Sequence, residues 1–152
     1  MASKQAPWRH AVHEERIAHL IKNAFRGTSG ALQRRLREQS LVYGHWTLLR
    51  VLWQSDGMTQ RQLSEQAGVK ESSAFTALQA MEKAGYIKRH KVGGNSKQIR
   101  VFLTPKGARL RSRIVPMAEA VNRIALTGVS AQDLSATRRT LLRVIQNLNS
   151  HK

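Results

Sequence analysis

Residues 59–103 read TQRQLSEQAGVKESSAFTALQAMEKAGYIKRHKVGGNSKQIRVFL, and the hydrophobic period changes twice within them. Thr59 opens the stretch as a helix cap, and Gln62, three positions on, caps back in the reciprocal arrangement of a capping box. The short helix that follows runs to about Gln66 and stops at Gly68, which is free to take the left-handed conformation of a tight exit. A second helix covers about Glu71 to Ala84, with Ala74, Ala77, Leu78 and Met81 on one face and Gly85 at its C-terminal end. Beyond Gly85 the period becomes that of strands. Tyr86–Val92 and Gln98–Leu103 flank Gly93-Gly94-Asn95-Ser96-Lys97, a glycine-rich hairpin loop with a basic tip. Two helices joined by a tight turn and followed by a hairpin form a winged helix-turn-helix, whose second helix fits the roughly 12 Å wide major groove of DNA.

On the N-terminal side, Tyr43–Gln54 is a strongly apolar helix that ends at Ser55-Asp56-Gly57, a turn signal. Before it, Ile17, Leu20, Ile21, Ala24, Phe25, Leu32 and Leu36 make an imperfect helical stripe between His13 and Glu38. Gly27-Thr28-Ser29-Gly30 interrupts that stripe; one continuous helix is the reading adopted. After the hairpin, Thr104-Pro105 restarts a helix, with Thr as cap and Pro in the first turn. It continues to about Thr127, with a kink expected at Pro116, and ends at Gly128. Ser130-Ala131-Gln132-Asp133 caps a last helix, whose Leu134, Leu141, Leu142, Ile145 and Leu148 form a stripe too apolar to leave in water.

The chain has 152 residues, enough for one domain with a sizeable core. Its 26 Lys and Arg against 9 Asp and Glu give a net charge of +17, which calls for a polyanionic partner. From Lys83 to Arg113 ten basic residues occur without one acid, a window able to neutralise several phosphates at once. There is no cysteine, so disulfides, thiol catalysis and thiol redox sensing are excluded. No apolar run suits a membrane span and no signal peptide is visible, which makes the cytoplasm the expected compartment. His10, His13 and His19 lack acids at ligand spacing and read as surface histidines, so no metal or other cofactor is expected. Neither a phosphate loop nor a nucleophile motif is present, and the chain does not read as an enzyme.

Four segments together carry a family resemblance: Thr59-x3-Leu63-Ser64-Glu65-x2-Gly68-Val69; Ser72-Ser73; Leu78-x2-Met81-Glu82-x2-Gly85-Tyr86-Ile87-x-Arg89; and Val101-x-Leu103-Thr104-x2-Gly107. At these spacings the chain resembles the MarR family of bacterial transcription regulators over nearly its whole length. The resemblance implies a mainly α fold with a small β-hairpin wing, a single domain over residues 1–152. In it, long dimerisation helices at 13–42 and 104–152 flank a winged helix-turn-helix lobe at 43–103. It also implies a homodimeric repressor on an inverted-repeat operator in double-stranded DNA, each recognition helix taking a half-site about one helical turn from the other. The wing departs from the family pattern. Asn95-Ser96-Lys97 replaces the usual acidic-Arg-Arg tip, leaving the wing's role to Lys97, which keeps the charge but loses the fork.

Carried over by position, Ser72, Ser73, Phe75, Thr76 and Gln79 face the groove, while Lys88, Arg89, Lys91 and Lys97 hold phosphates or enter the minor groove. Two alternatives stand beside this: helix-start capping for Ser72 or Ser73, since Lys70 is a poor N-cap, and a semi-buried packing role for Phe75 in place of contact with a thymine methyl. The resemblance further implies a small aromatic acid as effector, held between the dimerisation helices and the winged lobe. Trp46, Arg50 and Trp53 fall on one side of their helix and suit such an acid, with Arg16 and His19 completing the pocket. Against that stands a core role for both tryptophans, with Arg50 paired to a neighbour such as Glu38. A sequence-indifferent architectural DNA protein and an RNA-binding winged helix share the charge but explain neither the outer helices nor the tryptophans.

Overall fold

The structure is a computed structural model that describes residues 16–93 and 98–151. Helix α1 (Ile17–Glu38) passes unbroken through Gly27 and Gly30, with the Thr28 and Ser29 hydroxyls donating back to the carbonyls of Ala24 and Phe25. A Cβ at Gly27 would meet nothing within 4 Å, and glycine in a helix interior costs about 1 kcal/mol relative to alanine. Gly27→Ala should therefore stabilise the protein by about 1 kcal/mol, a rise in Tm of roughly 2–4 °C for a chain this long. Thermal unfolding followed by circular dichroism measures it, and a fall in Tm would contradict a continuous α1.

Two compact units divide at Val121 and Asn122. In the first, α2 (Tyr43–Leu52) supplies Leu48, Leu49, Val51 and Leu52 to the core. Strand β1 (Met58–Thr59) leads into α3 (Gln60–Ala67), which carries the full capping box and exits at Gly68 with φ 68°. Next come α4 (Glu71–Lys83), β2 (Ile87–Val92) and β3 (Gln98–Leu103). The hairpin is antiparallel, from Ile87 opposite Leu103 to Val92 opposite Gln98.

Strand β1 was not expected from the sequence. Met58 pairs with Val101 and Thr59 with Arg100, giving the order β1-β3-β2. Two residues have no period to read, and tertiary bonds hold the strand in place. The Asp56 carboxylate accepts from the Leu103 N–H, and the Gly57 N–H donates to the Val101 carbonyl. Gly57 has φ 77°, and a Cβ there would lie 2.9 Å from the Phe102 ring, so glycine is required twice over.

The helix expected from Thr104 to Thr127 is two helices, α5 (Pro105–Arg109) and α6 (Arg111–Ala125), and α6 runs through Pro116 without ending there. The break falls at Leu110. In an unbroken helix the Gly107 carbonyl would accept from the Arg111 N–H; here the Trp53 indole donates to it at 3.0 Å. Leu110 and Ile114 then turn into the core.

The second unit carries the end of α6 and α7 (Ala131–Asn149), whose Ser130 cap accepts from the Asp133 N–H. No residue of α7 is buried; Leu142, Ile145 and Leu148 are 59%, 54% and 66% exposed. Among the described residues, no helix is long and apolar enough to cross a membrane.

Candidate nucleic-acid interface

Helix α4 owes its position to one face. Ala74, Leu78 and Met81, spaced for a single stripe, are buried in the core beneath it. The opposite face carries Ser72, Thr76 and Gln79, all exposed, and Lys83 continues that line at the i, i+4, i+7, i+11 spacing. Lys83 was missed when residues were carried over by position; its helical spacing from Ser72 was the available signal.

Lys70 precedes α4 without a side-chain cap. Neither Ser72 nor Ser73 takes up that task, and both hydroxyls are without a partner among the described residues. The capping alternative is therefore not realised. The Thr76 hydroxyl donates to the Ser72 carbonyl at 3.2 Å and keeps its lone pairs for an incoming donor. A cleft of about 360 Å3 opens beside this face, lined by Gln60, Glu71, Ser72, Ala74 and Phe75.

Phe75 lies on the flank of α4 toward the hairpin and is 48% exposed. The Arg89 guanidinium sits over its ring, 5.6 Å from the centroid. Arg89 also donates from Nε to Glu82 Oε2 at 2.8 Å and from Nη1 to Gln60 Oε1 at 3.2 Å. Strand alternation separates the basic residues that the sequence groups together. Arg89 and Lys91 share the face of buried Ile87, whereas Lys88 points to the other face with His90, opposite Phe102. Lys97 lies outside the described residues, as do His10 and His13.

The expected ligand residues come together only in part. Trp46 and Trp53 are in tilted contact, ring centroids 6.0 Å apart. Trp53 commits its indole N–H to Gly107, which ties it into the fold, as the core alternative holds. Arg50 is exposed and forms no ion pair with Glu38 or any other described acid. Arg16 and His19 are exposed at the start of α1 and do not line the clefts beside α4. Burial holds the His45 imidazole below its ordinary value of 6.5, so at neutral pH it is uncharged and Arg50 is the cation α2 offers.

Residues 41–99 match the model of the MarR family. A helix-turn-helix-type transcriptional repressor of Mycobacterium bovis is 30% identical over 110 residues, 72% of this chain and 76% of its own length. The chain belongs to the MarR family. A second relative, a helix-turn-helix-type transcriptional regulator of Methylorubrum extorquens, is 24% identical over 82% of this chain, which spans 57% of that longer protein. The fold agrees with that of a MarR family regulator from Listeria monocytogenes solved with a 26mer DNA. The two superpose with a TM-score of 0.82 at 23% identity, over 90% of this chain and 91% of that one. These MarR relatives are transcriptional regulators, not enzymes.

Proposed function

We propose that the chain is a cytoplasmic homodimeric repressor that binds an inverted-repeat operator in double-stranded DNA through α4 and the hairpin, and that a small aromatic carboxylate releases it. The outer face of α4 carries this reading: Ser72, Thr76, Gln79 and Lys83 are exposed, in a chain of net charge +17. A helix whose polar face its own core leaves unused suits the major groove. Gln79 can pair with adenine in a bidentate manner, while Ser and Thr accept either donor or acceptor edges, so DNA shape shares the discrimination. Lys91 and Lys97 supply phosphate contacts along the hairpin. The relative solved with DNA supports the reading by its fold.

Retardation of a palindromic fragment from the protein's own promoter, against nonspecific competitor, tests it. Specific binding should exceed nonspecific by at least about 10³ at physiological salt. Equal affinity for any duplex would leave a sequence-indifferent architectural protein. The effector is tested with benzoate-type acids. Arg50 stands exposed and unpaired on α2 in the same stretch of helix as Trp46, an arrangement that suits a carboxylate on a ring. Arg50→Ala should keep operator affinity and lose release by the acid; unchanged release would remove Arg50 from the site.

A further inference from the structure

We propose that Arg89 is a positioning residue rather than a phosphate contact: it locks the recognition helix to the hairpin and holds Phe75 upright as an apolar reader of the groove. This rests on the DNA-binding reading above and names a specificity determinant within it. Arg89 stands on β2 yet engages two other elements, Gln60 at the start of α3 and both Glu82 and Phe75 on α4. Its side chain is only 18% exposed. A phosphate-gripping arginine presents its fork outward with donors free and charge uncompensated. Here Nε and one Nη are spent inside the protein, and Glu82 neutralises the charge.

The choice of partner is informative, because acids are scarce in this chain. With 9 acids against 26 basic residues, one carboxylate is held on Arg89 in the middle of the basic window. Among the described residues the other ion pair, Arg61 with Glu65, lies along one exposed helix, whereas Glu82 with Arg89 joins two elements. Phe75 and Glu82 sit at i and i+7 on the same flank of α4, so one guanidinium spans two helical turns and fixes that flank against the sheet. The ring beneath it is half in water and is kept from folding down onto its own helix. An aromatic edge held in that way suits a thymine methyl, which marks one base pair in the major groove.

The sign of the change in affinity separates the two roles. Removing a negative charge from a DNA-facing lobe tightens binding if only the field matters. If Glu82 acts through Arg89, Glu82→Gln weakens operator binding instead. Arg89→Lys keeps the charge but loses the fork and the flat stack over the ring, so it fails to rescue a positioning role and rescues a phosphate contact. Fluorescence anisotropy on the full chain, with the operator and a scrambled duplex from 50 to 200 mM salt, reads both, with thermal unfolding run in parallel.

Arg89→Lys, Glu82→Gln and Phe75→Ala should each lower operator affinity about 5–10-fold, with affinity for the scrambled duplex and the salt slope unchanged. Arg89→Lys combined with Phe75→Ala should lose little more than either alone. A salt slope shallower by about one for Arg89→Ala, together with tighter binding by Glu82→Gln, would overturn the proposal. So would variants with lowered Tm and an unchanged ratio of operator to scrambled affinity, the mark of a purely structural pair. A wild-type chain that binds both duplexes alike overturns the operator reading itself, a result distinct from any variant's.

Discussion

Gly107→Ala should lower Tm by roughly 6–20 °C, the steepest loss of stability among the glycine substitutions. A Cβ at this position would overlap the Tyr86 carbonyl oxygen and lie 2.9 Å from its carbon and 3.2 Å from its Cα. These are backbone atoms, so no rotamer relieves the clash, and α5 must move away from the end of α4 and the start of β2. That movement strains three further bonds. Thr104 N–H donates to the Tyr86 carbonyl, Gly107 N–H donates to the Thr104 hydroxyl, and the Trp53 indole donates to the Gly107 carbonyl. Strain with buried hydrogen bonds at stake belongs among the few single-residue changes that cost about 3–5 kcal/mol, and a chain of this length loses roughly 2–4 °C per kcal/mol. Gly44→Ala is the control, since nothing lies within 4 Å of a Cβ there, and its Tm should not fall. Thermal unfolding read by Trp fluorescence measures both, and a Gly107→Ala protein melting with the wild type would mean that α5 does not approach Tyr86 this closely.

Gly107 also shows where the sequence could be read and where it could not. Features made by four neighbouring residues were legible: the Thr59–Gln62 capping box, the left-handed Gly68 and the Ser130–Asp133 cap all stand where the local pattern puts them. The buried stripe of α4 was legible for the same reason, since Ala74, Leu78 and Met81 repeat with the helix. What escaped was made at long range. Strand β1 is tied down where Asp56 reaches Leu103, 47 residues on, and the break at Leu110 falls where Trp53 reaches Gly107, 54 residues on. Neither Asp56 nor Trp53 announces its partner in the sequence.

The candidate site divides in the same way. Helical spacing picks out Ser72, Thr76 and Gln79, and would have picked out Lys83 had it been applied beyond the family positions. Counting charge treats Lys88, Arg89 and Lys91 alike. Strand alternation sends Lys88 to the far face, and a tertiary ion pair neutralises Arg89. Trp53, grouped with Arg50 by its spacing in the sequence, spends its indole N–H on the backbone instead. Spacing along a helix says which side a residue takes, and burial and bonding decide what remains free to act.

In the homodimer proposed above, Ile145→Glu should separate the protomers without unfolding them. No residue of α7 is fully buried in the single chain, and Leu142, Ile145 and Leu148 stand more than half exposed. Capped at Ser130 and 19 residues long, the helix forms without a core of its own to cover. An aliphatic side chain moved from water into an interface contributes about 1.5–3 kcal/mol when fully buried, and a two-fold interface counts every such residue twice. A glutamate at 145 removes that contribution on both sides and places two carboxylates in a desolvated seam, where unpaired charge is costly. The dimer dissociation constant, measured by sedimentation, should rise at least 100-fold while circular dichroism stays that of the wild type. Operator affinity should fall in step, because a monomer loses the second half-site and the effective concentration its tether supplies; affinity for a single half-site should hold. Loss of folding rather than of association would show that α7 packs on its own chain, and unchanged sedimentation would place the dimer seam elsewhere, leaving the α7 stripe for another partner.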